Sequence, residues 1–378
     1  MRGWFIKAVF VVAMGLILVV AGCTPKPAEE AEPAEEVKPA EEVKPAEEAE
    51  PAEEVKPAEE AEHEIVNLEV YSSPMGTPVY QSAIVLTEML NELHPWLKAS
   101  PIETLGAVDA LTASSYLPPE RKKYALHINI SNMDLTKSWQ GLEPYKREYT
   151  DLKILGRYIA SGFTFATYDS EIKTPQDLIG KRIGMSPRGS SPTELCSALL
   201  EDSWGIYDEV TLSYHSPTAF KDIITSGAAD VLGTLFITEA KGGNAGTAPY
   251  VLDVIGARET YWLNVTQEDL DKVNENHPWT AFRLVGSKGC LGGENDPPEE
   301  IGSIAIWTPI TAFDEFDDEA AYELVKFLID NAEEWSSRTQ NQEMSLEYMT
   351  GMPGLVGEES IHPGALRYYK EKGIEIRG

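Results

Sequence analysis

The chain has 378 residues, with 62 acidic against 31 basic side chains and a net charge of −31. So acidic a chain argues against nucleic acid as a partner, because phosphates demand basic contacts. Its 3 cysteines and 6 histidines form no metal-ligand spacing, and no metal or other cofactor is expected.

Arg2 and Lys7 precede an almost wholly apolar run, Ala8 to Val20, which is short for a spanning helix and suits a signal-peptide core. The run ends in Val20-Ala21-Gly22-Cys23, small residues before a cysteine, which resembles the bacterial lipobox. That resemblance implies that residues 1–22 are a signal peptide and that Cys23 carries lipid. The other reading is an uncleaved anchor with an incidental cysteine; both put the remainder outside the cytoplasm. Residues 23–64 then form a tether of repeated Lys-Pro-Ala-Glu-Glu and Ala-Glu-Pro-Ala-Glu-Glu units. Pro33, Pro39, Pro45 and Pro51 forbid a continuous helix, and almost nothing apolar is available to bury, so disorder is expected. The stretch from Thr24 to Glu64 holds 16 Glu against 4 Lys, so much of the net charge belongs to the tether.

Residues 65–378 are long enough for two domains. Ile65–Tyr71 suits a strand, Ser72–Pro78 a polar Gly/Pro loop, and Val79–Leu93 a helix with Ile84, Val85, Leu86, Met89, Leu90 and Leu93 at core spacing. Ligands of open α/β sheets lie beyond the carboxyl ends of strands, where Ser73, Met75, Gly76, Thr77 and Tyr80 fall. Tyr80 can equally pack into the core. Glu103–Leu111, with Thr104 and Gly106, leads into a second helix. Strands are expected at Ala125–Ile130, Leu152–Ile159, Phe163–Tyr168, Val210–Tyr214, Val231–Phe236 and Val251–Ile255. Thr174 and Pro175 open a short helix that Gly180 ends. Phe236, at a strand end, reads as core or as a ligand platform. A long helix is expected over Glu319–Trp335. Cys196 and Cys290 read as two buried free thiols, although a pairing stays open. Alternation of strand and helix means α/β.

Ile183-Gly184-Met185-Ser186-Pro187-Arg188-Gly189-Ser190-Ser191-Pro192-Thr193-Glu194-Leu195 reads as a strand, a tight loop and a helix start. Gly189 permits the turn, Ser190 and Ser191 suit the N-cap, and Pro192 suits the first helical turn. Amide groups at Gly189, Ser190, Ser191 and Thr193 then offer an anion site at the positive end of the helix dipole. Arg188 reads equally as a ligand contact or a solvated loop arginine.

Several of these segments resemble the TAXI family, the substrate-binding subunits of one class of TRAP transporters. They are the first loop and helix ending Glu88-Met89-Leu90, Glu103–Leu111, Ile172–Ile183 with the Pro-Arg-Gly-Ser-Ser loop, and His362-Pro363-Gly364-Ala365-Leu366-Arg367-Tyr368-Tyr369. The resemblance implies a two-lobed type II periplasmic-binding-protein-like clamshell, with lobe 1 from 65–161 and 259–378 and lobe 2 from 162–258. It implies a monomeric receptor that carries a small organic anion or amino acid, glutamate-like ligands among them, to an ion-gradient-driven membrane permease. Pro74 and Met75 depart from a glycine-richer first loop. Ala107 and Ala110 stand where the family has a hydroxyl and an amide.

No Gly-x-Ser-x-Gly elbow or His-Glu-x-x-His motif occurs, so binding rather than catalysis is expected. An exported enzyme or a ligand sensor on the same fold is the alternative. If Cys23 is lipidated, fatty-acid labelling in cells should mark the parent and not Cys23→Ala; equal labelling of both would exclude lipid at this residue.

Overall fold

The computed structural model describes residues 63–240, 244–286, 289, 300–339, 342–354, 357–374 and 376. The expected signal peptide, Cys23, the tether and Cys290 lie outside the described residues. In chain order the strands and helices are β1 Val66–Ser72, α1 Pro78–Leu93, β2 Leu97–Glu103, α2 Ala107–Ser115, α3 Pro119–Lys122, β3 Ala125–His127, α4 Asn132–Gln140, β4 Leu152–Thr167, β5 Arg182–Met185 and α5 Ser191–Ala198. They continue with β6 Thr211–Tyr214, α6 Phe220–Thr225, β7 Val231–Ala240, β8 Asn244–Gly246, α7 Pro249–Ile255, β9 Tyr261–Trp262, α8 Gln267–Asn276, β10 Phe282–Gly286, β11 Ile301–Phe313, α9 Asp318–Asp330, α10 Ala332–Arg338, α11 Leu346–Thr350 and α12 Pro363–Glu371.

The strands join in the order β2-β1-β3-β11-β4-β7-β5-β6. At one end β2, β1 and β3 run parallel; at the other, β7, β5 and β6 do so. Between these halves, β11 and β4 run antiparallel, and β4 passes from β11 onto β7 near Ser161. Two parallel halves joined by long antiparallel strands give the α/β, type II periplasmic-binding-protein-like clamshell. In β1, Leu68, Val70, Tyr71 and Ser72 are buried while Asn67 is exposed and Glu69 half-buried, so only the carboxyl half of the strand is covered on both faces. Every residue of β11 is buried. Pro309 is tolerated in this interior strand because the pairing with β4 shifts register there, which removes the need for its missing N–H.

Local chemistry sets the helix starts. Thr77 accepts from the Tyr80 amide at 3.2 Å and Pro78 opens α1, whose buried Ala83, Leu86, Met89 and Leu90 form the core stripe. A short 3₁₀ turn at Pro175–Leu178 is opened by a Thr174/Asp177 capping box, and Gly180 follows at φ +75°. His362 caps α12, with Pro363 at its first turn.

Several expected elements differ, and the strand expected over Ala125–Ile130 already ends at His127 as β3. Val251–Ile255 is part of α7, opened by Pro249, and its buried Val251, Val254 and Ile255 carry the three-and-four spacing of a helix rather than alternation. Leu152–Ile159 and Phe163–Tyr168 merge into β4, because Gly162 lets the strand run on where a Cβ would lie 2.1 Å from Ser303 Oγ. Glu319–Trp335 breaks into α9 and α10 at Asn331, whose backbone sits at φ −111°, ψ 28° and whose side-chain Nδ2 donates to Phe327 O at 2.8 Å. Cys196 is buried and unpaired.

Helix α12 lies on α9, and a Cβ at Gly364 would stand 2.1 Å from the Asp318 backbone oxygen. Neither side of that contact is a flexible side chain, so Gly364→Ala should lower stability by about 1–3 kcal/mol. Denaturant unfolding checks it; an unchanged midpoint would mean the two helices separate at no cost.

Candidate ligand-binding site

The loops after β1 and β2 are tied to each other. Ser73 is half-buried just beyond β1. The Met75 amide donates to Glu103 Oε1 at 2.8 Å, and Thr77 Oγ1 donates to Pro74 O at 2.8 Å. Gly76 takes φ +86°, which suits glycine. Thr104 is buried, and its hydroxyl donates to Ser72 O at 2.6 Å. Gly106 stands at φ +144° as the N-cap of α2, a helix without a side-chain cap.

The loop after β5 forms the strand–turn–helix expected of it. Gly189 takes φ +82°, and Ser190 is the N-cap of α5, but its hydroxyl turns back to Pro187 O at 2.8 Å instead of capping. Ser191 is the first helical residue and Pro192 the second. Thr193 Oγ1 donates to Ser186 O at 2.9 Å, which closes the loop from inside. The Ser186 amide donates to Thr234 Oγ1 at 3.1 Å, so β7 supports the same loop. Thr234 is held at φ +63°, a conformation that costs a β-branched residue on the order of 1–3 kcal/mol. Arg188 is exposed, with its guanidinium 4.3 Å from the centre of the Tyr214 ring, a cation–π contact that leaves its N–H edge for other groups.

Ser191 reaches across to α4. Its hydroxyl donates to Asp134 Oδ2 at 3.0 Å. Asp134 is buried and also receives Ser131 Oγ at 2.6 Å and Tyr145 Oη at 3.0 Å. Lys137 and Glu194, one turn along the same two helices, form an ion pair. Burial pushes the Asp134 carboxyl above the usual carboxylate range, and the hydroxyl donors of Ser131, Ser191 and Tyr145 pull the other way. The α5 start therefore already faces one carboxylate, supplied by the chain itself.

A cavity of about 440 Å³ is walled by Met75, Gly76 and Tyr80 together with Thr238, Thr247, Arg338 and Gln342. Arg338 is held by Glu334 and Glu92, and Gln342 accepts from Ser82 Oγ at 3.4 Å. Ser73 and Thr77, beside this cavity in sequence, do not line it, and neither do Thr104, Gly106, Arg188, Gly189, Ser190, Ser191 and Thr193. Phe236 pairs with Phe163 in β7, and its side chain lies outside the described residues. Of the expected residues, Met75, Gly76 and Tyr80 lie on the cavity, Thr104 and Gly106 at the α2 start and Arg188 to Thr193 at the α5 start. Sequence reasoning missed Asp134, although Ser131-x-x-Asp134 carries the spacing of a capping box. Arg338 and Gln342 had no local signal, because only folding brings them to α1.

The sequence model of the NMT1-like family matches residues 102–373, well over half of the chain. The chain belongs to the NMT1-like family. The match takes in Thr104, Gly106, Asp134 and the Arg188–Thr193 loop, whereas Ser73, Met75, Gly76, Thr77 and Tyr80 lie before it. No curated protein matches this NMT1-like chain in sequence. Solved structures similar to it include the periplasmic aliphatic sulphonate binding protein SsuA from Escherichia coli, at 13% identity over 81% of this chain and 82% of that one, TM-score 0.42. The periplasmic binding protein BugD is similar at 14% identity over 82% and 98% of the two chains, TM-score 0.47. An R. palustris protein with adipate is similar at 14% identity over 74% and 88%, TM-score 0.48.

Because the folded-state pKa of Asp134 is raised, its contribution to stability is present below the unfolded-chain value and is lost as pH rises through the folded value. Asp134→Asn removes that loss. The thermal midpoint of the variant relative to the parent should be higher at pH 8 than at pH 4, and an equal offset at both would exclude a buried ionising group here.

Proposed function

We propose that this protein is the extracytoplasmic solute-binding subunit of a TAXI-type TRAP transporter. In this reading it captures a small organic anion or amino acid and hands it to an ion-gradient-driven permease. It acts by binding, without catalysis, as a monomer tethered to the membrane through Cys23. The observation that carries the reading is the Ser191–Asp134 contact, by which the loops beyond β3 and β5 meet over the carboxyl ends of their strands. That is where open α/β sheets take ligands. Membership of the NMT1-like family supports a substrate-binding role. The proposed lobes are 65–161 with 259–378, and 162–258, with β4 and β11 running between them.

The proposed ligand carboxylate meets the amide of Gly189 and the free edge of Arg188, while the Ser190 amide is engaged with Pro187 O at 3.2 Å. Ser191 is shared with Asp134, so its hydroxyl is available only when that contact opens. Acidity of the whole chain repels an anion at long range, so capture depends on such local donors.

A charge-assisted arginine contact contributes on the order of 1.5–3 kcal/mol. Arg188→Ala should therefore weaken binding roughly ten- to a hundredfold. Titration calorimetry decides it, using the organic acid or amino acid that most raises the midpoint of the full-length protein. Unchanged affinity would leave Arg188 as a surface residue packed on Tyr214.

A further inference from the structure

Helix α1 presents two faces. One packs inward through Ala83, Leu86, Met89 and Leu90. On the other, Tyr80 and Ile84 stand one turn apart, each half-buried, and both line the cavity of about 440 Å³. The rest of the wall is largely polar and comes from distant parts of the chain. Thr238 lies on β7, Thr247 just after β8, and Thr339 and Gln342 just after α10, and all four are buried. Thr339 Oγ1 donates to Trp335 O at 2.7 Å, and the Gln342 carboxamide lies 3.4 Å from the Ser82 hydroxyl. Small-molecule sites commonly take this form, an apolar hollow of roughly 300–1,000 Å³ with a few fixed polar groups.

Charge on the wall selects the kind of molecule. Among the described residues Arg338 is the one charged side chain that lines the cavity. Its Nε donates to Glu334 Oε1 at 2.7 Å and its Nη2 to Glu92 Oε2 at 2.9 Å, so one guanidinium already serves two carboxylates. An acid entering here meets an arginine whose charge is more than matched, in surroundings of net negative sign. An ammonium finds no carboxylate on the wall, and gives up its water without an ion-pair partner. An uncharged molecule avoids both costs, and its apolar part gains from covering Tyr80 and Ile84.

We propose that this cavity is a second small-molecule site, separate from the α5 start, for an uncharged ligand. Such a ligand carries an apolar ring lying on Tyr80 and Ile84, and a single amide or hydroxyl head directed to Gln342 and its threonine neighbours. This goes beyond the receptor reading, which places an acid at Arg188, and does not depend on it.

The test uses the purified full-length protein with aryl and cycloalkyl carboxamides, benzamide and cyclohexanecarboxamide among them. Each is paired with the carboxylate of the same skeleton, and binding is read by thermal shift and then calorimetry. The tightest binder should be a carboxamide, held at least about tenfold more tightly than its matched acid. Ile84→Trp, which fills the cavity, should abolish that binding. If the tryptophan variant does not fold, Gln342→Leu decides: it should weaken the carboxamide by about threefold or more, as loss of one hydrogen bond does. An acid as the tighter partner would overturn the proposal and leave the receptor reading standing. Undiminished carboxamide affinity in the folded tryptophan variant, or in the leucine variant where that one decides, would also overturn it. So would failure of every carboxamide to bind, whatever acid is found to bind at Arg188.

Discussion

The ladder between β4 and β11, paired from Leu152–Phe313 to Phe163–Ile304, carries the rest of the molecule. Both strands are long and almost wholly buried, so each backbone polar group along them must find its partner within the sheet. The parallel strands β1, β2 and β3 join it through β11, and β5 and β6 join it through β4 and β7. The C-terminal segment locks onto the same ladder: the Ile361 segment bridges to Ile154, the His362 amide donates to Ile154 O at 2.8 Å, and Tyr369 Oη donates to Leu155 O at 2.5 Å. A chain whose last helix braces its central strand spends long-range contacts on holding the middle still. The strand ends are thereby left to carry loops.

Those loops answer one another by charge and by hydrogen-bond direction. At α5 a helix start meets Asp134, a carboxylate held by three hydroxyls. At α2 a helix start without a side-chain cap lies beside Thr104, whose hydroxyl oxygen receives Asn129 Nδ2 at 3.1 Å. The first arrangement joins two segments through hydroxyl donors on one carboxylate. The cavity under Met75, Gly76 and Tyr80 adds apolar and hydroxyl surface beside α1, but its arginine is already engaged with Glu334 and Glu92.

What the sequence determined by itself was whatever rests on neighbours in the chain. Thr174 and Pro175 mark a helix start because caps act within three residues. The α/β alternation, the glycine turn at Gly189 and the β5–α5 loop were legible for the same reason. Val251–Ile255 was not, because five apolar and polar residues fit either period and Pro249, just outside them, decides for the helix. Only the tertiary structure brought Ser191 to Asp134, 57 positions away, and Arg338 to the side of α1. Only it brought the Thr104 hydroxyl to Ser72 O and Asn129 to Thr104. Hydrogen-bond partners across a sheet follow from strand order and register, and those are set by burial of whole faces rather than by the residue types at the loop.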